Sequence, residues 1–355
     1  MRPLPRVRDA GRRATRPAFL ATIVVVLAAV PVFIASQAAI PLGATSVLVD
    51  GRAIATGVAV LLLLWSVSLA RVGSSREARR RELTIARARA DQVARRLAPY
   101  EERERARFHR MLELDRVLAD RSAINTVYQP IMDFARGAVV GVEALSRFHH
   151  EPRRSPVEWF QQAWEVGRGV DLEILTMLGV MTRLDELPED QFVAVNLSPA
   201  TLVSPEFARV MPEQSWHRVV VELTEHARIE DYDALQRPVA EIRERGGRLA
   251  VDDVGAGFAS LQHVLRLMPD LVKLDMSLTR NINQDPARHA LASGVIACAE
   301  QLGAAVVGEG IQTWDELEAL RGMGVGLGQG FFISEPLDLE VLRVGLPEDR
   351  ILDIA

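Results

Sequence analysis

Seven short apolar runs in the last two thirds of the chain end in an acid, an amide or a lysine. The residues are Glu143, Asn196, Glu222 with Glu225 close behind, Asp252 with Asp253, Lys273 with Asp275, Glu309 and Gln329. A single polar residue at a strand end is ordinarily a helix cap or a turn former, and Asp252-Asp253 before Gly255-Ala256-Gly257 could be a surface turn. Seven such ends in succession are hard to explain that way. Neighbouring carboxylates repel unless a cation or a shared proton lies between them, and Lys273 alone balances too little of that charge. A bound cation is the direct solution. Carboxylates and one amide are hard oxygen donors, suited to Mg²⁺, Mn²⁺ or Ca²⁺. No His or Cys stands at these positions, which disfavours zinc; His226 beside Glu225 is the nearest exception and reads as a surface or supporting group. Mg²⁺ favours sites with substrate phosphate and retained water, so phosphate-ester chemistry is the leading class. Two such ions can activate a water and stabilise the attacking and leaving oxygens. Lys273 could orient or deprotonate that water.

These residues need a scaffold that brings strand ends to one rim. The candidate strands are Val127–Ile131, Val139–Ala144, Phe192–Asn196, Val219–Leu223, Arg248–Asp252, Leu271–Leu274, Ala305–Gly308 and Gln329–Ile333. Helical patterns at Pro156–Val166, Leu172–Leu187, Tyr232–Arg245, Ala287–Leu302 and Trp314–Arg321 lie between most of them. Eight strands alternating with helices suit an α/β fold of the (β/α)8 TIM-like barrel type, whose sites lie at the C-terminal ends of the strands. The first two strands are joined too closely for a crossover, so the barrel is expected to begin with an antiparallel hairpin. Adjacent Asp252 and Asp253 can share a site only where the strand gives way to loop, because side chains alternate faces.

The preceding third differs in character. Ala18 to Ile40 carries no charge and is long enough to span hydrocarbon, and Ile54 to Ala70 is shorter but also uncharged. Arginines crowd the outer flanks: Arg6, Arg12 and Arg16 before, Arg71, Arg79 and Arg81 after. By the positive-inside rule both ends face the cytoplasm, giving a two-helix transmembrane hairpin in an inner membrane with the catalytic part inside. The alternative for the first stretch is a cleaved signal peptide ending near Ala35-Ser36-Gln37-Ala38. A charged helical linker follows. Leu83, Ala86, Ala90, Val93 and Leu97 form a heptad-like seam, Pro99 is expected to end that helix, and a second runs from Glu101 to Ala119. The linker reads either as a solvated stalk or as a signalling helix that joins two protomers. The resulting division is 1–17 basic N-terminus, 18–70 hairpin, 71–111 linker, 112–350 barrel and 351–355 tail. A net charge of −5 and a pI near 5.9 offer no overall basicity for a DNA or RNA duplex. A single cysteine, Cys298, excludes an intramolecular disulfide.

With these residues placed, the chain resembles the EAL-domain cyclic-di-GMP phosphodiesterases, named for the tripeptide that here is Glu143-Ala144-Leu145. The resemblance covers about residues 112 to 350. It runs through Tyr128-Gln129-Pro130-Ile131, Glu143-Ala144-Leu145-Ser146-Arg147, Val195-Asn196-Leu197-Ser198-Pro199 and Glu222-Leu223-Thr224-Glu225. It continues through Asp252-Asp253-Val254-Gly255-Ala256-Gly257, Lys273-Leu274-Asp275, Gly308-Glu309-Gly310 and Gln329-Gly330-Phe331. Each motif alone is weak; eight in order are specific. The resemblance implies hydrolysis of cyclic-di-GMP to linear pGpG with two Mg²⁺ or Mn²⁺ ions, in a homodimer. It implies Glu143, Asn196, Glu222 and Asp252 as ligands of a first metal and Asp253 of a second. Lys273 would position the water, while Glu309, as a further ligand, and Gln329 would support the metal–water shell. Gln129, Arg147 and Gln329 would face substrate, and Glu225 would anchor the loop after Asp253. Three positions depart from the family pattern: Val254 for Phe, Gln312 for a second Glu, Gly326 for Asp. None removes a proposed ligand. The rival readings are a non-catalytic cyclic-di-GMP receptor and a membrane-tethered scaffold that binds neither metal nor nucleotide.

Overall fold

The structure is a computed structural model that describes residues 51–70, 76–210, 216–223, 229, 231–255 and 258–344. Eight strands follow one another round a closed barrel: β1 (Ile124–Asp133), β2 (Ala138–Phe148), β3 (Phe192–Leu197), β4 (Val219–Leu223), β5 (Arg248–Val254), β6 (Leu271–Leu274), β7 (Ala305–Gly308) and β8 (Leu327–Gly328). β1 is antiparallel to both β2 and β8, and all other pairs are parallel. The reason is local. The β1–β2 connection is a tight turn in which Asp133 Oδ1 accepts from the backbone N–H of Ala135 and Arg136, and Gly137 takes φ 59°. So short a link permits only a hairpin.

The period-2 alternation of the strands builds the barrel and aims the site. Ile131, Phe192, Ala194, Val220, Ala250, Leu271 and Val307 form one buried cluster inside the barrel. Their sequence neighbours Val193, Val195, Val219, Val221 and Leu249 belong to the cluster beneath the helices, as do Val251, Val272, Val306 and others on the opposite flank. Two residues beyond Ala194, Val220, Ala250, Leu271 and Val307 lie Asn196, Glu222, Asp252, Lys273 and Glu309. Inward side chains thus become polar at the C-terminal mouth. At the other end Gly141 leaves room for the Phe192 ring: a Cβ there would lie 2.4 Å from it.

Three expectations need correction. The last strand is Leu327–Gly328, not Gln329–Ile333. Gly330 takes φ 156° and sits so close to the Ile311 backbone that a Cβ would lie 2.2 Å from it; the chain then turns, with Ile333 N–H and Ser334 N–H donating to Gly330 O. Second, the linker does not break at Pro99: one helix runs Arg76–Ala119 with that proline inside. Proline removes one helical hydrogen bond at a cost of about 3 kcal/mol, a local loss in a segment otherwise rich in Arg, Glu and Ala. Third, the helix expected over Leu172–Leu187 is Gly169–Met181 followed by a 3₁₀ turn at Leu184–Glu186. An additional helix, Phe258–Leu267, follows β5.

The chain divides into two units, Met1–His109 and Arg110–Ala355. In the first, Gly51–Ala70 is a helix whose side chains are described only from Gly57 to Val67. Among the described residues no helix is long and apolar enough to cross a membrane, so the expected hairpin has no support there. The apolar stretch Ala18 to Ile40 lies outside them. In the second unit, Leu114 and Val117 at the end of the linker helix pack with Trp159, Ala163, Val166 and Leu172.

Candidate active site at the barrel mouth

Lys273 is the centre of the mouth. Its side chain is 1% exposed, and its ammonium lies 2.9 Å from Glu222 Oε2, 2.9 Å from Glu309 Oε1, 3.0 Å from Asp252 Oδ1 and 3.3 Å from Glu143 Oε2. One cation against four carboxylates leaves the cluster acidic. Burial alone would lower the Lys273 pKa, but the four carboxylates together outweigh it and hold the pKa well above the ordinary lysine value. Without a metal, Lys273 is therefore an ammonium that faces the four carboxylates around it. Burial, reinforced by like charges, pushes Glu222 and Glu309 well above the usual carboxylate range against the pull of Lys273. Glu143 is held below that range: burial opposes, and Lys273 with hydrogen bonds from Gln329 and Asn196 prevails.

Two amides complete the ring. Asn196 Nδ2 donates to Glu143 Oε1 at 2.9 Å, and Gln329 Nε2 donates to Glu143 Oε2 at 2.7 Å and Glu309 Oε1 at 2.9 Å. Each amide then presents its oxygen: Asn196 Oδ1 and Gln329 Oε1 are buried and accept from no donor among the described residues. An unpaired oxygen buried among carboxylates is a costly arrangement unless a cation uses it. The donor set accordingly fits a hard divalent ion.

The Asp252-Asp253 pair is explained by a register shift in β5. Val251 pairs with Val272 while Val254 pairs with Leu274, so three residues on β5 oppose two on β6, and Asp253 takes φ 53°. This bulge lets consecutive carboxylates approach one point. Ligand atoms of Asp252, Asp253 and Glu309 lie within 4.8 Å of one another, a second grouping able to hold a metal.

Other expected residues stand around this ring. Gln129 is the cross-strand partner of Glu143, and its Nε2 donates to Ser334 O at 3.2 Å. Arg147 lies further along β2, where with Ser146, Asn196, Ser198 and Trp164 it lines a cavity of about 730 Å³. Asp275 is a helix cap, accepting from Ser277 N–H at 2.9 Å, and takes the ordinary role of a strand-end acid. Glu225 and His226 lie outside the described residues. Of the departures, Val254 is fully buried in the core, Gln312 Oε1 accepts from Arg280, and an added Cβ at Gly326 would meet nothing within 4 Å.

Sequence reasoning missed Glu173. This buried acid accepts from Ser198 N–H at 2.8 Å, from Ser198 Oγ at 2.9 Å and, through its other oxygen, from Trp164 Nε1 at 3.2 Å. It thereby fixes the turn that begins two residues after Asn196. The available signal was an acid at 173 on the stripe that continues through Met177 and Val180, all buried.

Residues 112–336 match the EAL domain family. The chain belongs to that family. A cyclic di-GMP phosphodiesterase of Pseudomonas aeruginosa is 29% identical over 256 residues, 69% of this chain and 44% of that protein. A probable cyclic di-GMP phosphodiesterase of Escherichia coli is 26% identical over 63% of this chain and 47% of its own length. The chain thus spans less than half of either EAL relative. Among solved structures, the manganese and cyclic-di-GMP complex of Klebsiella pneumoniae BlrP1 superposes with TM-score 0.54 at 29% identity, covering 61% of this chain and 56% of that one.

Proposed function

We propose that this EAL-domain protein is a metal-dependent phosphodiesterase that adds one water across one P–O bond of cyclic-di-GMP and releases linear pGpG. The observation that carries the reading is the ring of Glu143, Glu222, Asp252 and Glu309 about Lys273, with the unpartnered oxygen of Asn196 beside it. In the proposed assignment Glu143, Asn196, Glu222 and Asp252 hold one Mg²⁺ or Mn²⁺, and Asp253 with Glu309 serves a second. Such ions, when bound by these residues, would supply Lewis acidity and a nucleophilic water at neutral pH. Lys273 donates to that water and fixes its line of approach. Gln329 keeps Glu143 and Glu309 oriented through the two hydrogen bonds given above. Arg147, which lines the adjoining cavity, is assigned to a phosphate or base edge of the nucleotide, and Gln129 to the same substrate. Glu225 is assigned to holding the turn after Asp253.

The reading extends to the cell. The apolar N-terminal stretches and their arginine flanks support a membrane tether with the barrel on the cytoplasmic side, where a homodimer would meet its nucleotide. Cysteines introduced at Ser46 and Ser75 in a Cys298→Ala background test the topology: an impermeant thiol reagent on intact cells should label position 46 and not 75. Product identification tests the activity. The purified chain with cyclic-di-GMP and Mg²⁺ should yield pGpG, whereas tight binding without turnover would make it a receptor.

A further inference from the structure

We propose that two copies of this chain pair through residues 82–101 of the helix Arg76–Ala119, parallel and in register. The proposal rests on the homodimer reading and specifies its geometry. The helix is unbroken across Pro99, so one seam can run the whole stretch. From Arg80 to Tyr100 the half-buried residues are Leu83, Ala86, Ala90, Val93 and Leu97, and all others are exposed. Their spacing alternates three and four, the a and d positions of a two-stranded coil with Leu83 at a. Charge flanks the seam at Glu82, Arg87, Arg89, Arg96 and Glu101, so a partner that covers this narrow seam must itself present a narrow apolar stripe edged by charge. A second copy does.

Flanking charge decides the orientation. With Leu83 at a, the g positions are Glu82, Arg89 and Arg96, and the e positions are Arg87, Ala94 and Glu101. In a parallel in-register pair each g faces the e five residues on in the other copy. Glu82 then meets Arg87 and Arg96 meets Glu101, each twice by symmetry, while Arg89 meets the neutral Ala94. In an antiparallel pair centred on the same seam, g faces g, and Arg89 meets Arg96 twice. Like charges across a seam disfavour that arrangement. Alanines at two seam positions let the helices approach closely without a steric choice of their own, which leaves the charges to set the direction.

The test is disulfide trapping in the full-length chain with Cys298→Ala. Leu83→Cys and Leu97→Cys each face their own copy in the parallel register and should crosslink under mild oxidation. Ala88→Cys, on the outer face, should not. Glu82→Arg should diminish the Leu83→Cys crosslink, and adding Arg87→Glu should restore it. A chain that is dimeric by light scattering yet fails to crosslink at Leu83→Cys and Leu97→Cys, or crosslinks equally at Ala88→Cys, overturns this pairing and leaves the dimer standing. A monomeric chain overturns both. Hydrolysis measured on the same samples reports separately on the phosphodiesterase reading.

Discussion

Lys273 is the residue on which the metal-free mouth depends. Its ammonium touches four carboxylates, Glu143 and Glu222 buried and Asp252 and Glu309 partly so, and removing one partner of a buried ionic cluster costs about 3–5 kcal/mol because the remaining charge is left uncompensated. Lys273→Met should therefore lower the melting temperature of the metal-free chain, and Mg²⁺ should recover part of the loss by supplying the missing charge. Equal melting temperatures for both chains without metal would contradict the charge account. A pH effect follows from Glu222 and Glu309, whose pKa values burial and like charges raise well above 4.5. The folded chain keeps these protons at pH values where the unfolded chain has lost them. Metal-free stability contributed by these groups is thus fully present below about pH 4.5 and declines as pH rises through their raised pKa values. A metal must displace the same protons, so apparent Mg²⁺ affinity should increase with pH over that window and binding should release protons. Calorimetric titration at several pH values measures this; a flat affinity with no proton release would count against Glu222 and Glu309 as ligands.

Among elements, the helix Gly169–Met181 and the strand β3 are joined by Glu173. Glu173→Ala leaves the buried Ser198 N–H without its acceptor, at about 1–3 kcal/mol for a donor left unsatisfied, and removes the acceptor shared by Ser198 Oγ and Trp164 Nε1. Thermal stability should fall, and Mg²⁺ affinity should fall with it, because the turn after Asn196 loses its fastening. A variant that lost stability while keeping native metal affinity would confine Glu173 to the fold. The contrast with Asn196 shows what a sequence reveals. Phe192–Leu197 and Val219–Leu223 are legible as strands from their apolar runs, and their polar inward residues follow from the period of two. Gln329 is legible at the barrel mouth, but the extent of the last strand is not: Phe331, Phe332 and Ile333 form an apolar run, yet Gly330 presses against Ile311 and bends the chain just after Leu327–Gly328. That approach is tertiary, and nothing local announces it. The bulge at Asp252-Asp253 was legible as a requirement, since two adjacent acids cannot otherwise share a site, although its register was not. Pro99 alone signals a helix stop, but the long segment of helix formers around it carries the helix through. Glu173 sat in view as an acid on an apolar stripe, but its partners at Ser198 and Trp164 are set only by the packing of the helices onto the barrel.

At the scale of the whole molecule, the barrel unit carries a mouth suited to a divalent ion and includes the end of the helix Arg76–Ala119, from Arg110 onward. The last turns of that helix are fastened to the barrel unit by Gln162 Nε2 donating to Arg110 O at 2.9 Å, and by ion pairs of Arg154 with Glu113 at 2.7 Å and Arg168 with Asp115 at 2.6 Å. Arg154 and Arg168 flank the helix that carries Trp164, so the helix entry and the cavity wall share one packed layer. The proposed hydrolysis of cyclic-di-GMP requires ions held by the oxygen donors at the mouth. The measurement that tests it most directly is the rate of pGpG formation against Mg²⁺ or Mn²⁺ concentration, for the native chain and for Glu143→Ala. The native rate should rise from zero and saturate with metal and vanish with a chelator, and folded Glu143→Ala should show no turnover at any metal concentration. Near-native turnover by Glu143→Ala, or metal-independent turnover by the native chain, would contradict the account.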